Sequence, residues 1–440
     1  MTFNGVIKLL SDKLTESEPG LLTLDSYWQG TQAAAFLAPE ASKALGNRFR
    51  SLSVNFPRLA CTALAERLAV TGFKADGAES ADPGLWKFWK RNGMQNGSAQ
   101  AHTDALIYGR SFVTVWAGRD GAPLVTVESP RSMAVLRNPA TREVTAALKR
   151  WSENNTGYAV LYLPDEIVKL TAKANVTDAF PSTGWNVTET IPNPLGVVPV
   201  FPIVNRGRLA EIDGVSEMND VLDLADALNK LMADAMVTSE FFARPRRWAT
   251  GLELVEDEDG NVVNPFPDEA GRLWQSEAPE TKFGQFDGAR LDGYSDVVNM
   301  VTTQIGALTQ LPAHYLGLNG DQPPSADSIR AAEASLVSRA YSLQMTFGAA
   351  WAEVAKLMVA VSTGADYFSL DYETVWGSPE TRTPAQAADA AVKLKTIGVP
   401  LTVILADTLG MTPEQIERVR VAARAEALDA AGIDLTAIAQ

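Results

Sequence analysis

A helix-rich α+β fold in roughly two to four units is what this sequence predicts, and three observations carry the prediction. Apolar residues recur at spacings of three and four over most of the first 110 residues, and again over two much longer stretches later on. Between them the pattern changes to short runs rich in Val, Tyr, Thr and Ile, bounded by Gly, Asp and Pro. The 440 residues, 46% of them hydrophobic and 21% charged, are too many for one simple core and have the composition of a folded chain.

The elements follow in order. "FNGVIKLLSDKL" places Phe3, Val6, Ile7 and Leu10 on one helical face, and "PRLACTALAERLAV" and "GSAQAHTDALIYG" continue in helical mode. "SFVTVWAGRDGAPLVTVES" reads as two strands around a Gly/Asp turn, a hairpin. "EVTAALKRW", "YAVLYLP" and "EIVKLTA" read as further strands, and "LGVVPVFPIVNR" as a Pro-broken extended run. In "DGVSEMNDVLDLADALNKLMADAMVTSEFFA", Met218, Val221, Ala225, Leu228, Met232 and Ala235 form one stripe. That is a helix of about thirty residues, roughly 45 Å, with Asp213 or Ser216 to cap its start. Residues 241–289 follow as a separate module of short β-like pieces, and "DGYSDVVNMVTTQIGALTQL" is a second helix ending before Pro312.

Breakers then crowd together at Gly317, Asn319, Gly320, Asp321, Pro323 and Pro324. The chain restarts at once into "SADSIRAAEASLVSRAYSLQMTFGAAWAEVAKLMVAV". Its stripe of Ile329, Ala332, Leu336, Ala340, Leu343, Phe347, Trp351, Val354, Met358 and Val361 predicts a helix of about 37 residues, roughly 55 Å. That length without a strict heptad suits a strut in an assembly. "YFSLDYETVW" returns to strand, and short helices close the chain, one opening on Thr412 as N-cap with Pro413 in its first turn.

The net charge of −15 argues against tight wrapping of nucleic acid, which needs Lys and Arg to neutralise phosphates. It fits either plain solubility or a surface past which nucleic acid slides without sticking. The single cysteine, Cys61, excludes an internal disulfide framework and sits in an apolar helical run. The start carries no apolar leader, and no run of about eighteen apolar residues is free of charge, so neither a signal peptide nor a membrane span is expected.

Catalytic signatures are missing. There is no phosphate-binding G-x-x-x-x-G-K-[ST], no dinucleotide fingerprint and no nucleophile elbow. Only His102 and His314 offer imidazole, and His102 with Asp104 in "HTD" is short of the three ligands a zinc site needs. Asp223 and Asp226 are helical neighbours while Asp220 and Asp234 are read as pointing elsewhere, so a solvated acidic face is favoured over a metal pair. In "RPRRW", Arg244, Arg246 and Arg247 could meet phosphates beside Trp248, or serve a helix end or a neighbouring acidic surface.

"HTDALIYGRSFVTVW", "VNRGRLAEIDGVSEMNDVLDLADALNKLMADAMVTSEFFARPRRWATG" and "LPAHYLGLNGDQPPSADSIRAAEASLVSRAYSLQMTFGAAWAEVAKLM" together resemble the portal proteins of long-tailed double-stranded-DNA bacteriophages of siphovirus type, with actinobacteria as expected hosts. The resemblance spans nearly the whole chain. It implies a portal-type fold with wing, stem, clip and crown regions in a cyclic ring, usually a dodecamer, at one capsid vertex. Double-stranded DNA would pass through the ring's channel during packaging and ejection. The implied partners are further copies of the chain, large terminase, a head–tail adaptor, and the major capsid and scaffolding proteins. The resemblance implies no enzyme activity, no cofactor, no metal and no membrane partner. It implies a place in the virion after assembly in the host cytoplasm.

By the same resemblance, residues 1–212 are wing, 213–240 the first stem helix, 241–289 the clip, 290–311 the second stem helix and 312–323 the tunnel loop. Residues 324–379 return to the wing and 380–440 are crown. Leu318, Asn319, Gly320, Asp321 and Gln322 would face DNA, and Asp220, Asp223, Asp226 and Asp234 would line the channel. Two other readings stand beside this one: a metal-dependent hydrolase using His102, Asp104 and helix carboxylates, and a cellular scaffold of long interaction helices.

Overall fold

A computed structural model describes residues 2–33, 53–78, 80–173, 180, 184–242, 247–251, 255–256, 262–263, 279–285, 291–318, 325–380 and 384–430. The chain divides into two compact units. The larger comprises Met1–Gln32, Asn55–Ala225 and Thr303–Gln440, and the smaller Ala33–Val54 and Asp226–Thr302.

The larger unit begins with α1 (Phe3–Gln29), which ends at Gly30 in the left-handed region. Its buried Ile7, Leu10 and Leu14 pack on Ala146, Leu148, Ala159, Leu161, Val168 and Leu170, and Phe3 and Val6 close the edge of the same cluster. Next come α2 (Phe56–Ala65), capped by the Asn55 side chain, and strand β1 (Val70–Ala75). The Asp82 carboxylate accepts from Gly84 and Leu85 at the start of α3 (Pro83–Arg91), and α4 (Met94–Tyr108) runs between Gly93 and Gly109.

The β-rich stretch forms two antiparallel sheets. The predicted hairpin is β2 (Arg110–Ala117) and β3 (Pro123–Glu128), in register from Phe112↔Glu128 to Ala117↔Pro123. On the other side of β2 lies β9 (Val200–Val204). The second sheet is a meander of β4 (Met133–Arg137), β5 (Val144–Glu153), β6 (Thr156–Tyr162), β7 (Glu166–Lys173) and β8 (Asn186–Pro192).

Three of these strands escape a reading by pattern. β1 has a bulge between Val70 and Gly72, which breaks its alternation. β4 is too short to show a period. β8 is an outer strand, nearly all exposed, and carries no apolar face.

The first long helix starts later than predicted. Gly214 turns the chain at φ 80, and the Ser216 hydroxyl accepts from the Met218 N–H at 3.2 Å, so residues 213–218 stay out of the helix. Asp213 does not cap; it pairs with Lys13 at 2.9 Å. A 3₁₀ turn at Asn219–Val221 leads into α5 (Leu222–Phe242). α6 (Asp292–Thr309) is the second helix.

α7 (Ala326–Thr363) has 38 residues, capped by Ser325 and ended by Gly364 at φ 72. Leu336, Ala340, Phe347, Trp351, Val354 and Met358 are fully buried, while Ile329 is half-buried and Ala332 exposed, so the stripe packs only from its third turn onward. By length and mean hydropathy α7 could cross a bilayer, although no eighteen-residue run of it is free of charge; its apolar face is occupied by the unit's own core. That core centres on aromatic contacts, with Trp89 edge-on to Phe73 and to Trp351 at 5.1 Å each. β14 (Tyr372–Trp376) pairs antiparallel with β1 across some three hundred residues of chain, from Val70↔Trp376 to Ala75↔Tyr372.

The chain closes with α8 (Pro384–Thr396) and α9 (Pro413–Ala430). Thr412 and Gln415 hydrogen-bond each other's backbone N–H reciprocally at the start of α9, a capping box.

The described part of the smaller unit holds the rest of α5, most of α6 and two short antiparallel pairs. These are β10 (Arg247–Thr250) with β13 (Lys282–Gln285), and β11 (Val255–Glu256) with β12 (Val262–Val263). The Trp248 ring lies on Gly284, where a Cβ would approach it to 2.3 Å.

Candidate functional site

The breaker-rich loop between α6 and α7 leaves from a fixed root. After Thr309 the chain turns at Gln310 (φ 56), passes Pro312, and makes a 3₁₀ turn at Ala313–Leu316. Gly317 sits at φ 72, a conformation glycine adopts without strain. The Leu318 N–H bonds back to the Ala313 carbonyl at 3.0 Å. Leu316 folds onto α6 so tightly that a Cβ at Gly306 would come within 2.4 Å of it. Of the predicted channel-facing residues, Leu318 is half-buried against the main core. Asn319, Gly320, Asp321 and Gln322 lie outside the described residues.

A buried polar network holds both sides of this root. Arg67, at the end of α2, pairs with Glu333 of α7 at 3.1 Å, with side chains only 10% and 6% exposed. Arg67 also donates to the Tyr315 hydroxyl at 3.3 Å, and His314 Nε2 lies 3.7 Å from Glu333. The Arg67 carbonyl accepts from Gln344 of α7 at 3.1 Å. One turn beyond Leu336, Arg339 pairs with Glu217, which in turn accepts from Asn205 Nδ2 at 2.9 Å. Charges taken this far out of water persist only with well-formed partners, and what such pairs fix is position. The residues before the loop and those after it are thereby tied to one framework.

None of Arg67, Glu217, Glu333 and Arg339 stands out from composition or motif. A signal for Glu333 is nevertheless present, since spacings of three and four from Leu336 and Ala340 place it on the apolar stripe of α7. A charge at such a position is the mark of a buried pair.

The segment entering α5 is fixed backbone to backbone. Gly109 (φ 84) and Gly214 (φ 80) meet so closely that a Cβ on Gly214 would lie 1.9 Å from the Gly109 carbonyl oxygen. Around that contact, Asn205 N–H bonds Gly109 O, Val215 N–H bonds Asn205 O, and Glu217 N–H bonds Leu106 O.

The acidic candidates divide. Asp220 and Asp223 are exposed. Asp226 and Asp234, half-buried, bracket Lys230 at intervals of four residues, and Lys230 pairs with Asp234 at 2.7 Å. Asp234 therefore shares a helical face with Asp226, where the sequence reading had it pointing away, and that face alternates in sign. In the basic cluster, Arg247 pairs with Gln285 across β10 and β13. Arg244 and Arg246 lie outside the described residues.

"HTD" is split by the helix that carries it. His102 is fully buried and its Nε2 accepts from Trp351 Nε1 at 2.7 Å. Burial pushes its pKa down to about 3, against a weaker pull upward from the Leu68 backbone. Asp104 sits among Ser129, Asp25 and Arg131, and burial raises its carboxyl. Cys61 is fully buried, and burial, with Glu217 adding, drives its thiol far above the ordinary range. Among the described residues no three metal-ligating side chains converge.

The profile of the family described as phage portal protein, SPP1 Gp6-like, matches residues 7–427. The chain is 33% identical over 360 residues to the portal protein of Mycobacterium phage L5, covering 78% of this chain and 72% of that one. The portal protein of Mycobacterium phage D29 aligns with the same identity and coverage. Among solved structures, a chain in the virion of a native gene transfer agent particle is similar at a TM-score of 0.46 and 15% identity, covering 90% of this chain and 100% of that one. A chain in the neck of the native particle, computed with C12 symmetry, is similar at 0.46 and 14%, covering 89% and 99%.

Proposed function

The chain belongs to the SPP1 Gp6-like family of phage portal proteins, and from that premise we propose that it forms a twelve-subunit ring at one capsid vertex, through which double-stranded DNA is packaged and later ejected. It is a structural protein of the virion, of a family that is not enzymatic. In this reading the ring docks the large terminase during packaging and a head–tail adaptor afterwards, meets the major capsid and scaffolding proteins, and assembles in the host cytoplasm.

The regions take the roles that the resemblance implies. Residues 1–212 and 324–379 are the wing, 213–240 and 290–311 the stem, 241–289 the clip and 380–440 the crown. The boundaries between the two compact units fall inside α5 and α6, which supports reading these helices as the stem. Large apolar residues on the same helices, Met236, Val297, Met300 and Leu308, are exposed in the single chain. A cyclic head-to-tail ring would cover such residues with the neighbouring subunit.

The observation that carries the proposal is the loop root. A loop that carries Gly317 and Gly320 and no Lys or Arg from Leu318 to Gln322 leaves a buried polar network. Such a loop can touch a sliding duplex without the tight phosphate bonds that would stall it. Asp220, Asp223, Asp226 and Asp234 would repel the same backbone, moderated by Lys230.

Deleting Asn319–Gln322 tests this role. The deleted chain is expected to build rings of normal mass while particles assembled with it package much less DNA. Normal packaging by the deleted form would remove the proposed role of the loop.

A further inference from the structure

We propose that a groove of about 680 Å³ in the larger unit is a docking site for an extended, acidic peptide segment of a partner protein. The groove lies between the turn joining β4 and β5, the strand β9, and the stretch of α7 beside the 3₁₀ turn Tyr367–Ser369.

Three arginines line it: Arg137, Arg142 and Arg206. Among the described residues none of the three has a carboxylate within ion-pair distance. Asp213, whose charge Arg137 feels, is itself paired with Lys13 at 2.9 Å. Burial, and after it the neighbouring charge of Arg206, holds the Arg137 guanidinium below its ordinary range. The Arg137 Nη1 donates to the Arg142 carbonyl at 3.3 Å, while its buried Nε has no hydrogen-bond partner. In a chain of net charge −15, this is a local inversion of sign. Guanidinium forks match carboxylates in a bidentate manner, and complementary charge of this kind selects the partner.

What suits the groove to a peptide rather than a polyphosphate is its apolar lining. Glu143 and Glu353 also line the groove, and a peptide's carboxylates have to reach the arginines past them. Glu353 is already paired with Lys356 at 3.1 Å and accepts from the Tyr367 hydroxyl. Val198, Val200 and Phe201 give the groove its apolar lining, and Phe368, which also lines it, is 72% exposed.

An extended chain alternates its side chains, so acidic and apolar residues in alternation would meet arginines and apolar lining together. β9 is an outer strand of its sheet, yet Pro202 lacks an N–H. Full strand addition is therefore curtailed, and recognition rests mainly on side chains.

The test is fluorescence anisotropy on the full-length protein with a labelled eight-residue peptide alternating Glu and Leu. Its companions are the same peptide with Gln for Glu and a labelled 20-base-pair duplex DNA. The acidic peptide is expected to bind in the micromolar range and the Gln peptide about tenfold or more weakly. Arg142 and Arg206 are both exposed, so the double variant Arg142→Glu/Arg206→Glu should fold with unchanged circular dichroism and lose at least about tenfold in peptide affinity. Phe368→Ala should lose about threefold or more. The duplex should show the same affinity, or lack of it, in wild type and double variant.

An acidic peptide that does not bind below millimolar concentration, or that binds the double variant equally well, overturns the proposal. A duplex that loses affinity in parallel with the peptide overturns it in favour of a general anion surface.

Discussion

At the scale of single residues, Gly214 is constrained by conformation and His102 by charge. Gly214 has no room for a methyl group beside the Gly109 carbonyl and holds a positive φ. Gly214→Ala is expected to cost about 2–4 kcal/mol, combining overpacking with a left-handed backbone. Gly121→Ala, at φ 76 but with open space around it, should cost only about 1 kcal/mol. Thermal melts of the two variants check the difference, and equal losses would contradict the close contact.

His102 provides the second test. Unfolded, it titrates near its ordinary value of 6.5; folded, at about 3. Below pH 6.5 the unfolded chain binds a proton that the folded chain refuses. Stability is thus full above that pH and declines as pH falls, by at most about 1.4 kcal/mol per unit. Between pH 7 and 5.5, ahead of most carboxylates, the wild-type melting temperature should fall more than that of His102→Gln, which keeps an acceptor for the Trp351 N–H. Parallel curves would show that His102 is not the titrating group.

At the scale of elements, the loop root turns on the pair between Arg67 and Glu333. Removing one partner leaves a buried charge, so Arg67→Met is expected to cost about 3–5 kcal/mol. Arg67→Met with Glu333→Leu removes both charges and should recover half or more of that loss. A double variant no more stable than the single one would mean that the pair does more than hold the root in position. Denaturation midpoints, compared in one oligomeric state, provide the measurement.

Much of this level was legible in the sequence. Spacings of three and four located α7 to within about two residues at each end, because Ser325 and Gly364 punctuate it. The start of α5 was misplaced, since tertiary contacts of Gly214 and Lys13 override the local capping signal of Asp213. The network at the loop root was illegible, because its members come from sites as distant as Arg67 and Glu333. The pairing of β1 with β14 was hidden for the same reason.

At the scale of the whole molecule, motifs that persist over long stretches identified the family, while the partners of a single exposed arginine or aspartate did not show in the pattern at all. The exposed apolar residues of α5 and α6, the acidic net charge and the anchored loop are each ordinary in isolation. The proposed ring around a duplex would give all three a common physical reason: neighbours would cover the apolar faces, like charge would keep DNA from adhering, and the anchored root would hold the two ends of the loop.

The most direct test of that claim is negative-stain electron microscopy of the purified protein, with mass photometry on the same sample. Closed rings with a central hole and a mass near twelve times the 47.3 kDa chain are expected. Compact dimers or open filaments without a central hole, persisting as concentration is raised, would contradict it.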